Sequence, residues 1–167
     1  MNTAMKITLD TITDAGHDAD QSAMIRALCA FLDCEPSDLS ANRHDHYGLA
    51  VFSLGSKEYA IGTDSEADAA ARANIKDSAW AFTPSFLSGY CDLPEDVFAC
   101  LQSKCEDSNE AVLSLIEKSG GFEDFAAQAI SADGRGHFMS SYDGDENEQT
   151  GEREDGTQER FYIYRTN

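Results

Sequence analysis

The residues best suited to chemistry lie near the C-terminus, in the run Asp133-Gly134-Arg135-Gly136-His137-Phe138. Two glycines flank an arginine, and a histidine follows. Glycine permits backbone conformations and close approaches that other residues do not, while arginine and histidine supply charge and hydrogen bonds. Packing of a core does not require this combination, so the run is the candidate polar site of the chain.

The chemistry that this run predicts is binding of an anion. Backbone amides around Gly134 and Gly136 would form a small anion nest, and Arg135 would hold a phosphate or a carboxylate. His137 would donate or accept a proton, with its ring oriented by Asp133 or Asp143. The candidate ligand-binding residues are Asp133, Arg135, Gly136, His137 and Tyr142.

A purely structural interpretation of the same run stands beside this one. Gly134 would end a helix, Gly136 would form a turn, and Arg135 would pair with one of the many carboxylates of the domain. The Gly-Arg-Gly-His spacing matches no nucleotide-binding loop with a defined mechanism. We therefore assign no catalytic residue and no cofactor, and the sequence leans against an enzyme without deciding the question.

The charge of the chain is strongly negative and unevenly distributed. The formal net charge is −19 over 167 residues, with a pI near 4.3, which repels nucleic acid and anionic lipid and disfavours direct nucleic-acid binding. Residues 143–159 hold eight carboxylates against Arg153 alone, a net −7. Their low apolar content predicts a flexible acidic hairpin loop. The candidate partner-binding residues in it are Asp143, Asp145, Glu146 and Glu148.

No metal site is predicted. Asp143-x-Asp145-x-Asn147 is similar to the start of a calcium loop, but Glu148 occupies the position at which that loop needs glycine. The pair His44 and His46 does not have the spacing of a zinc ligand set with the upstream cysteines.

The cellular location follows from cysteine usage and the N-terminus. Five cysteines without a CxxC pair are typical of reduced thiols in an intracellular protein. Neither a signal peptide nor an apolar run long enough to span a membrane is recognisable. We therefore expect a cytoplasmic protein.

Periodicity and turn signals predict a single α+β domain over residues 1–167. Central helices would pack on a small, mostly antiparallel sheet formed by an N-terminal hairpin and C-terminal strands. Capping patterns at Thr63–Glu66 and Thr83–Pro84 begin two of the helices. The predicted strands are 5–9, 47–54, 57–63, 138–142 and 160–165, and the predicted helices are 20–32, 66–80, one short helix from 84, one from 95, one from 109 and 122–130.

Several motifs together resemble a family of uncharacterised accessory proteins encoded by bacteriophages and prophages. They are WAF at Trp80–Phe82, DGRGHF at Asp133–Phe138, YDG at Tyr142–Gly144 and the terminal YIYRTN, and the likeness extends from about residue 47 to residue 167. The family has no established activity, cofactor or catalytic residues. The resemblance implies an accessory role in the host cell, in host takeover or in countering host defence.

Three functional hypotheses follow. In the first, the protein binds a host defence protein with a basic surface and inhibits or redirects it through its own acidic surface, in one version as a nucleic-acid mimic. In the second, it is a small-molecule or nucleotide-binding protein, or an enzyme, that uses the Asp133-Arg135-His137 loop. In the third, the acidity only secures solubility.

Overall fold

The computed structural model describes residues 5–6 and 19–167, and the chain forms two compact units. The first unit combines Met1–Ala70, as far as it is described, with Arg135–Asn167; the second is the continuous segment Ala71–Gly134. Both lie in what the sequence predicts to be one domain. The first unit contains the sheet and the candidate residues from Arg135 onward.

In the described residues the sheet has six strands in the order β1-β2-β3-β4-β6-β5, and every neighbouring pair is antiparallel. The predicted α+β class is confirmed, as is an antiparallel sheet that joins an N-terminal hairpin to C-terminal strands. The strands are β1 (Met5–Lys6), β2 (Leu39–Ala41), β3 (Ala50–Leu54), β4 (Lys57–Gly62), β5 (Asn147–Glu152) and β6 (Gln158–Arg165).

Seven helices are described. They are α1 (Ala19–Leu32), α2 (Asp64–Asp77), α3 (Pro84–Cys91), α4 (Glu95–Gln102), α5 (Asn109–Ser119), α6 (Phe122–Asp133) and α7 (Arg135–Met139), with 3-10 turns at Pro36–Asp38, Ala79–Ala81 and Cys105–Ser108. None of the helices within residues 19–167 is both long and apolar enough to cross a bilayer.

The predicted helix starts at Thr63 and Thr83 are confirmed by their hydrogen bonds. The Thr63 amide donates to the Glu66 carboxylate at 2.8 Å, one half of a capping box. The Thr83 hydroxyl accepts from the Phe86 amide at 3.3 Å, with Pro84 at the first helical position. Each bond satisfies a backbone donor that the helix itself leaves unpaired.

Helix α1 covers one face of the sheet. Alternate residues of β4 and β6 point toward it, because successive side chains of a strand face opposite sides. Apolar side chains of α1 and of four strands form this core: Ala23, Ile25, Ala27, Leu28, Leu39, Phe52, Tyr59, Ile61, Phe161 and Ile163 are all buried.

The contact of α1 with β5 depends on Gly151. A Cβ atom at this position would overlap the backbone carbonyl of Ala23 and lie 3.2 Å from the ring of Phe161. Next to it, the Arg26 guanidinium donates to the carbonyl of Glu152 at 2.7 Å. The absence of a side chain at residue 151 therefore sets how closely the helix approaches this edge of the sheet.

The second unit is built from helices around the ring of Phe125. Phe82, Phe86 and Tyr90 contact this ring with centroid distances of 5.1, 5.5 and 5.1 Å. Phe82 and Phe86 are half-buried and pack on this fully buried phenylalanine.

Three sequence predictions need correction. Residues 143–159 are not simply a loop, because 147–152 form strand β5, paired with β6 from Asn147↔Ile163 to Glu152↔Gln158. Residues 138–142 form the end of α7 and a turn instead of a strand, and residues 135–137 are helical instead of a loop. The predicted strand at 5–9 is confirmed for Met5–Lys6, and its remainder lies outside the described residues.

Residues 147–152 form a strand in spite of their polar composition because a tight turn joins them to β6. Arg153 and Thr157 close the hairpin with a 2.8 Å backbone bond, and Gly156 adopts a left-handed φ of 82°. Asp155-Gly156 is a recognised hairpin signal. The strand it closes contacts α1 through the buried Gly151 instead of through apolar side chains.

We expect Gly151→Ala to lower the free energy of unfolding by about 1–3 kcal/mol, the usual cost of overpacking, because the backbone of α1 has to move. Urea unfolding followed by circular dichroism measures the change. Gly89→Ala is the matched control, since Gly89 lies in α3 with open space around it and alanine favours a helix. Equal stability of the Gly151→Ala variant and the native protein would contradict the close approach.

Candidate functional site

The candidate run spans the junction of two helices. Helix α6 ends at Gly134, whose φ is 79° and whose amide donates to the Ile130 carbonyl at 2.8 Å. The interpretation of Gly134 as a helix cap is therefore confirmed. Arg135 follows this cap as the first residue of α7.

Gly136 lies inside α7 and does not form the predicted turn. A Cβ atom here would overlap the Gly144 carbonyl and lie 2.8 Å from the backbone of Asp145 and Glu146. The glycine thus allows the chain that leads into β5 to pass directly against α7. This close approach brings Glu146 to Arg135.

Arg135 makes four hydrogen bonds with two acidic residues. Its Nε and Nη2 donate to Glu146 Oε2 and Oε1 at 2.8 and 3.1 Å. Its Nη1 donates to the Asp64 carboxylate at 2.8 Å and to the Asp64 carbonyl at 3.1 Å. The guanidinium also lies over the ring of Tyr162, 4.4 Å from its centroid. Since a guanidinium has five N–H donors, at most one remains for a ligand.

The arginine side chain is largely shielded from water, whereas the Asp64 side chain is 73% exposed. The side chains of Arg135 and Glu146 are 13% and 28% exposed. Burial opposes the charge of Arg135, but the hydrogen bonds with Glu146 and Asp64 outweigh it and raise the arginine pKa further. Tyr164 donates its hydroxyl to the same Glu146 carboxylate, and burial followed by this bond raises the tyrosine pKa well above its usual value.

The other predicted ligand-binding side chains make different contacts. In the first unit, neither His137 nor Tyr142 has a described contact with Arg135. His137 is exposed, and its ring contacts Phe138 at a centroid distance of 5.0 Å. Tyr142 is 59% exposed and packs against the Arg165 guanidinium, 3.3 Å from the ring centroid. Asp133 is an exposed residue at the end of α6 in the second unit.

Asp143 does not orient the histidine. Its Oδ1 accepts from the Ser140 hydroxyl at 2.6 Å and from the Asp145 amide at 3.1 Å. The bond from Ser140 is the main reason that the pKa of Asp143 is lowered. Asp143 therefore stabilises the turn before β5, and no acid–base pair with His137 is formed.

A shallow polar groove of about 520 Å³ lies in the first unit between the start of α2 and the β5–β6 hairpin. It contains Arg153 and Arg160 but also the carboxylates of Asp64 and Glu159. Arg153 pairs with Glu159 at 2.7 Å, and Arg160 pairs with Glu148 at 3.1 Å. The groove therefore lacks the net positive charge that a phosphate ligand needs.

A second groove, of about 650 Å³, lies between α4 and α5 in the second unit. Val97, Cys100, Leu101 and Leu115 dominate its lining, with Asp96 and Ser114 as the polar members. Because it contains no cationic side chain, it does not provide an anion site either.

The acidic residues of this segment differ in their contacts. Glu146 bonds Arg135 and Tyr164, and Glu148 and Glu159 pair with arginines of the same hairpin. Glu148 and Glu152 lie on β5, and Glu154 and Asp155 lie at the hairpin tip, where all four are exposed. Asp155 also accepts from the Thr157 amide and hydroxyl at 2.9 and 2.6 Å, which fixes the tip.

Comparisons with known proteins add no assignment. No family model matches the chain, and no curated protein and no solved structure is significantly similar to it. In the part of the chain that the structure describes, no group of three or more His, Cys, Asp or Glu side chains is placed to hold a metal ion.

Sequence reasoning missed three members of the Arg135 cluster: Asp64, Tyr162 and Tyr164. The signal for the tyrosines was their spacing of two residues on a predicted strand, which places them on one face. Asp64 was identified only as part of a capping pattern. Its role as an arginine partner required knowledge of the fold, because 71 residues separate the two.

We expect Arg135→Ala to lower the free energy of unfolding by about 2–3 kcal/mol, because it removes the charged hydrogen bonds from Arg135 to Glu146 and Asp64. Chemical unfolding measures the change. Arg160→Ala is the matched control: it removes an arginine of the same sheet whose side chain is 63% exposed, and exposed pairs contribute little. If both variants unfold like the native protein, Arg135 is not a structural residue.

Proposed function

We propose that this protein acts by binding another protein, and that its acidic β5–β6 hairpin is the contact surface. The partner presents a basic surface and is inhibited or redirected when it is bound. Opposite charges accelerate encounter and select the partner.

The observation that carries this proposal is the fixed placement of the densest charge in the chain. The exposed carboxylates of Glu148, Glu152, Glu154 and Asp155 lie on a hairpin with a paired strand, a closed turn and a helix packed against one face. Charges on an ordered surface do not lose as much conformational entropy on binding as charges on a disordered loop. An ordered acidic hairpin is therefore a better binding surface than its composition alone predicts.

The resemblance to phage accessory proteins supports a host protein as the partner and the host cytoplasm as the location. In one version the hairpin imitates nucleic acid, and the partner is then a nucleic-acid-binding protein. The negative charge of the chain favours such a basic partner over nucleic acid itself.

The geometry gives less support to a small-molecule site at Arg135. Four of the hydrogen bonds that this guanidinium can donate already go to Glu146 and Asp64. His137 and Asp143 do not form an acid–base pair, since Asp143 is bonded to Ser140. Binding through the hairpin is the stronger candidate.

The test removes the hairpin charge without changing side-chain size. We expect the combined variant Glu148→Gln, Glu152→Gln, Glu154→Gln, Asp155→Asn to lose the partner that the native protein retains from bacterial lysate at low salt. Quantitative mass spectrometry identifies the partner, and its retention by the native protein is expected to fall as salt is raised, because salt screens exposed charges.

The matched control removes four exposed carboxylates from the second unit instead: Asp92→Asn, Glu106→Gln, Asp107→Asn and Glu110→Gln. This variant has the same net charge and is expected to keep the partner. Equal losses in the two variants would show that only total charge matters, which would refute the hairpin as the contact surface. Competition of duplex DNA for the purified partner decides the nucleic-acid-mimic version.

A further inference from the structure

Within residues 5–6 and 19–167, strand β5 is the terminal strand of the sheet and pairs on one side only, with β6. Its hydrogen-bonding direction follows from the hairpin closure, in which the Arg153 amide donates to the Thr157 carbonyl. In an antiparallel ladder, hydrogen-bonded residue pairs alternate with pairs whose amides and carbonyls point away from each other. Arg153 is one such hydrogen-bonded residue, so every second residue before it also directs its backbone groups toward β6. These residues are Gly151, Gln149 and Asn147.

Glu148, Thr150 and Glu152 therefore direct their backbone amides and carbonyls out of the sheet. An independent contact agrees with this assignment, because Arg26 reaches the Glu152 carbonyl from outside the ladder at 2.7 Å. The side chains of the same three residues are exposed and lie on the face away from α1, since Gly151 faces that helix.

We propose that this edge binds an extended, basic segment of the partner as an additional strand. The inference rests on the proposed function and specifies how the hairpin binds. Backbone hydrogen bonds to Glu148 and Thr150 would supply affinity, and alternate Lys or Arg side chains of the segment would lie opposite the carboxylates of Glu148 and Glu152. The Glu148 carboxylate would then lie between Arg160 on one side, its partner at 3.1 Å, and the segment on the other. Arg26 already places a guanidinium on this edge, at its Glu152 end.

A second copy of this chain is the competing occupant, and the charges oppose it. Antiparallel self-pairing of β5 is most extensive when Thr150 lies opposite Thr150 of the other copy. Glu148 of each copy then lies opposite Glu152 of the other, and like charges directly opposite destabilise a strand pair. The same carboxylates that prevent edge-to-edge association attract a basic strand.

The decisive variant blocks the edge without altering charge. Proline at residue 150 removes an amide that points outward, so the β5–β6 ladder keeps its own bonds. Thr150→Val is the matched control, because it changes the same side chain and keeps the amide. Circular dichroism and urea unfolding of both variants verify that the fold is kept.

The probe is a blocked heptapeptide of alternating Lys and Val, titrated into ¹⁵N-labelled protein. We expect Thr150→Pro to weaken its binding at least tenfold and Thr150→Val less than twofold. In the native protein, the amides of Glu148 and Thr150 are expected to become protected from hydrogen exchange when the peptide binds, whereas those of Gln149 and Gly151 are already protected by the ladder.

Three results would overturn strand addition. Equal peptide affinity of the two Thr150 variants, combined with loss of binding in the hairpin-neutralised variant, would leave electrostatic binding intact and remove the strand mechanism. Undiminished binding by the neutralised variant would remove the acidic hairpin as the site as well. Protection of Glu148 and Thr150 without peptide, in a dimer observed by sedimentation, would make a second copy the occupant.

Discussion

The ion pair between Arg135 and Glu146 is the interaction on which the first unit depends. It joins the start of α7 to the residue directly before β5, and the same guanidinium holds Asp64 at the start of α2. Gly136 makes this possible by letting the chain pass against α7. A bidentate arginine pair fixes direction as well as distance, so the entry into the acidic hairpin has one defined geometry.

This arrangement gives a structural role to Gly134, Arg135 and Gly136, the residues that the sequence made the best candidates for chemistry. An arginine between two glycines suggests a ligand clamp, yet the glycines serve a helix cap and a close backbone approach. Tyr164 shares the Glu146 carboxylate and Tyr162 lies under the guanidinium. Arg135 is held by two carboxylates, those of Glu146 and Asp64, and further exposed carboxylates lie along the hairpin.

The elements that the sequence predicted correctly are those specified by neighbouring residues. Helix starts with side-chain caps, such as Thr63 and Thr83, and the β3–β4 hairpin follow from residues within a few positions of each other. Strand β5 was missed because its sequence has no apolar side chain. The residues that face α1 are Asn147, Gln149 and Gly151, of which the first and second pair with Ile163 and Phe161 of β6. For Arg135 the sequence predicted an ion pair as the structural alternative, but with 31 carboxylates it did not identify the partners.

The central claim is that the acidic segment is an ordered strand anchored by Arg135, and amide hydrogen exchange of the free protein tests it most directly. The account predicts an alternating pattern, with slow exchange at Gln149 and Gly151 and fast exchange at Glu148 and Thr150. It also predicts that Arg135→Ala accelerates the slow amides more than Arg160→Ala does. Uniformly fast exchange across residues 147–152 in the native protein would contradict it, because the charges would then lie on a disordered loop.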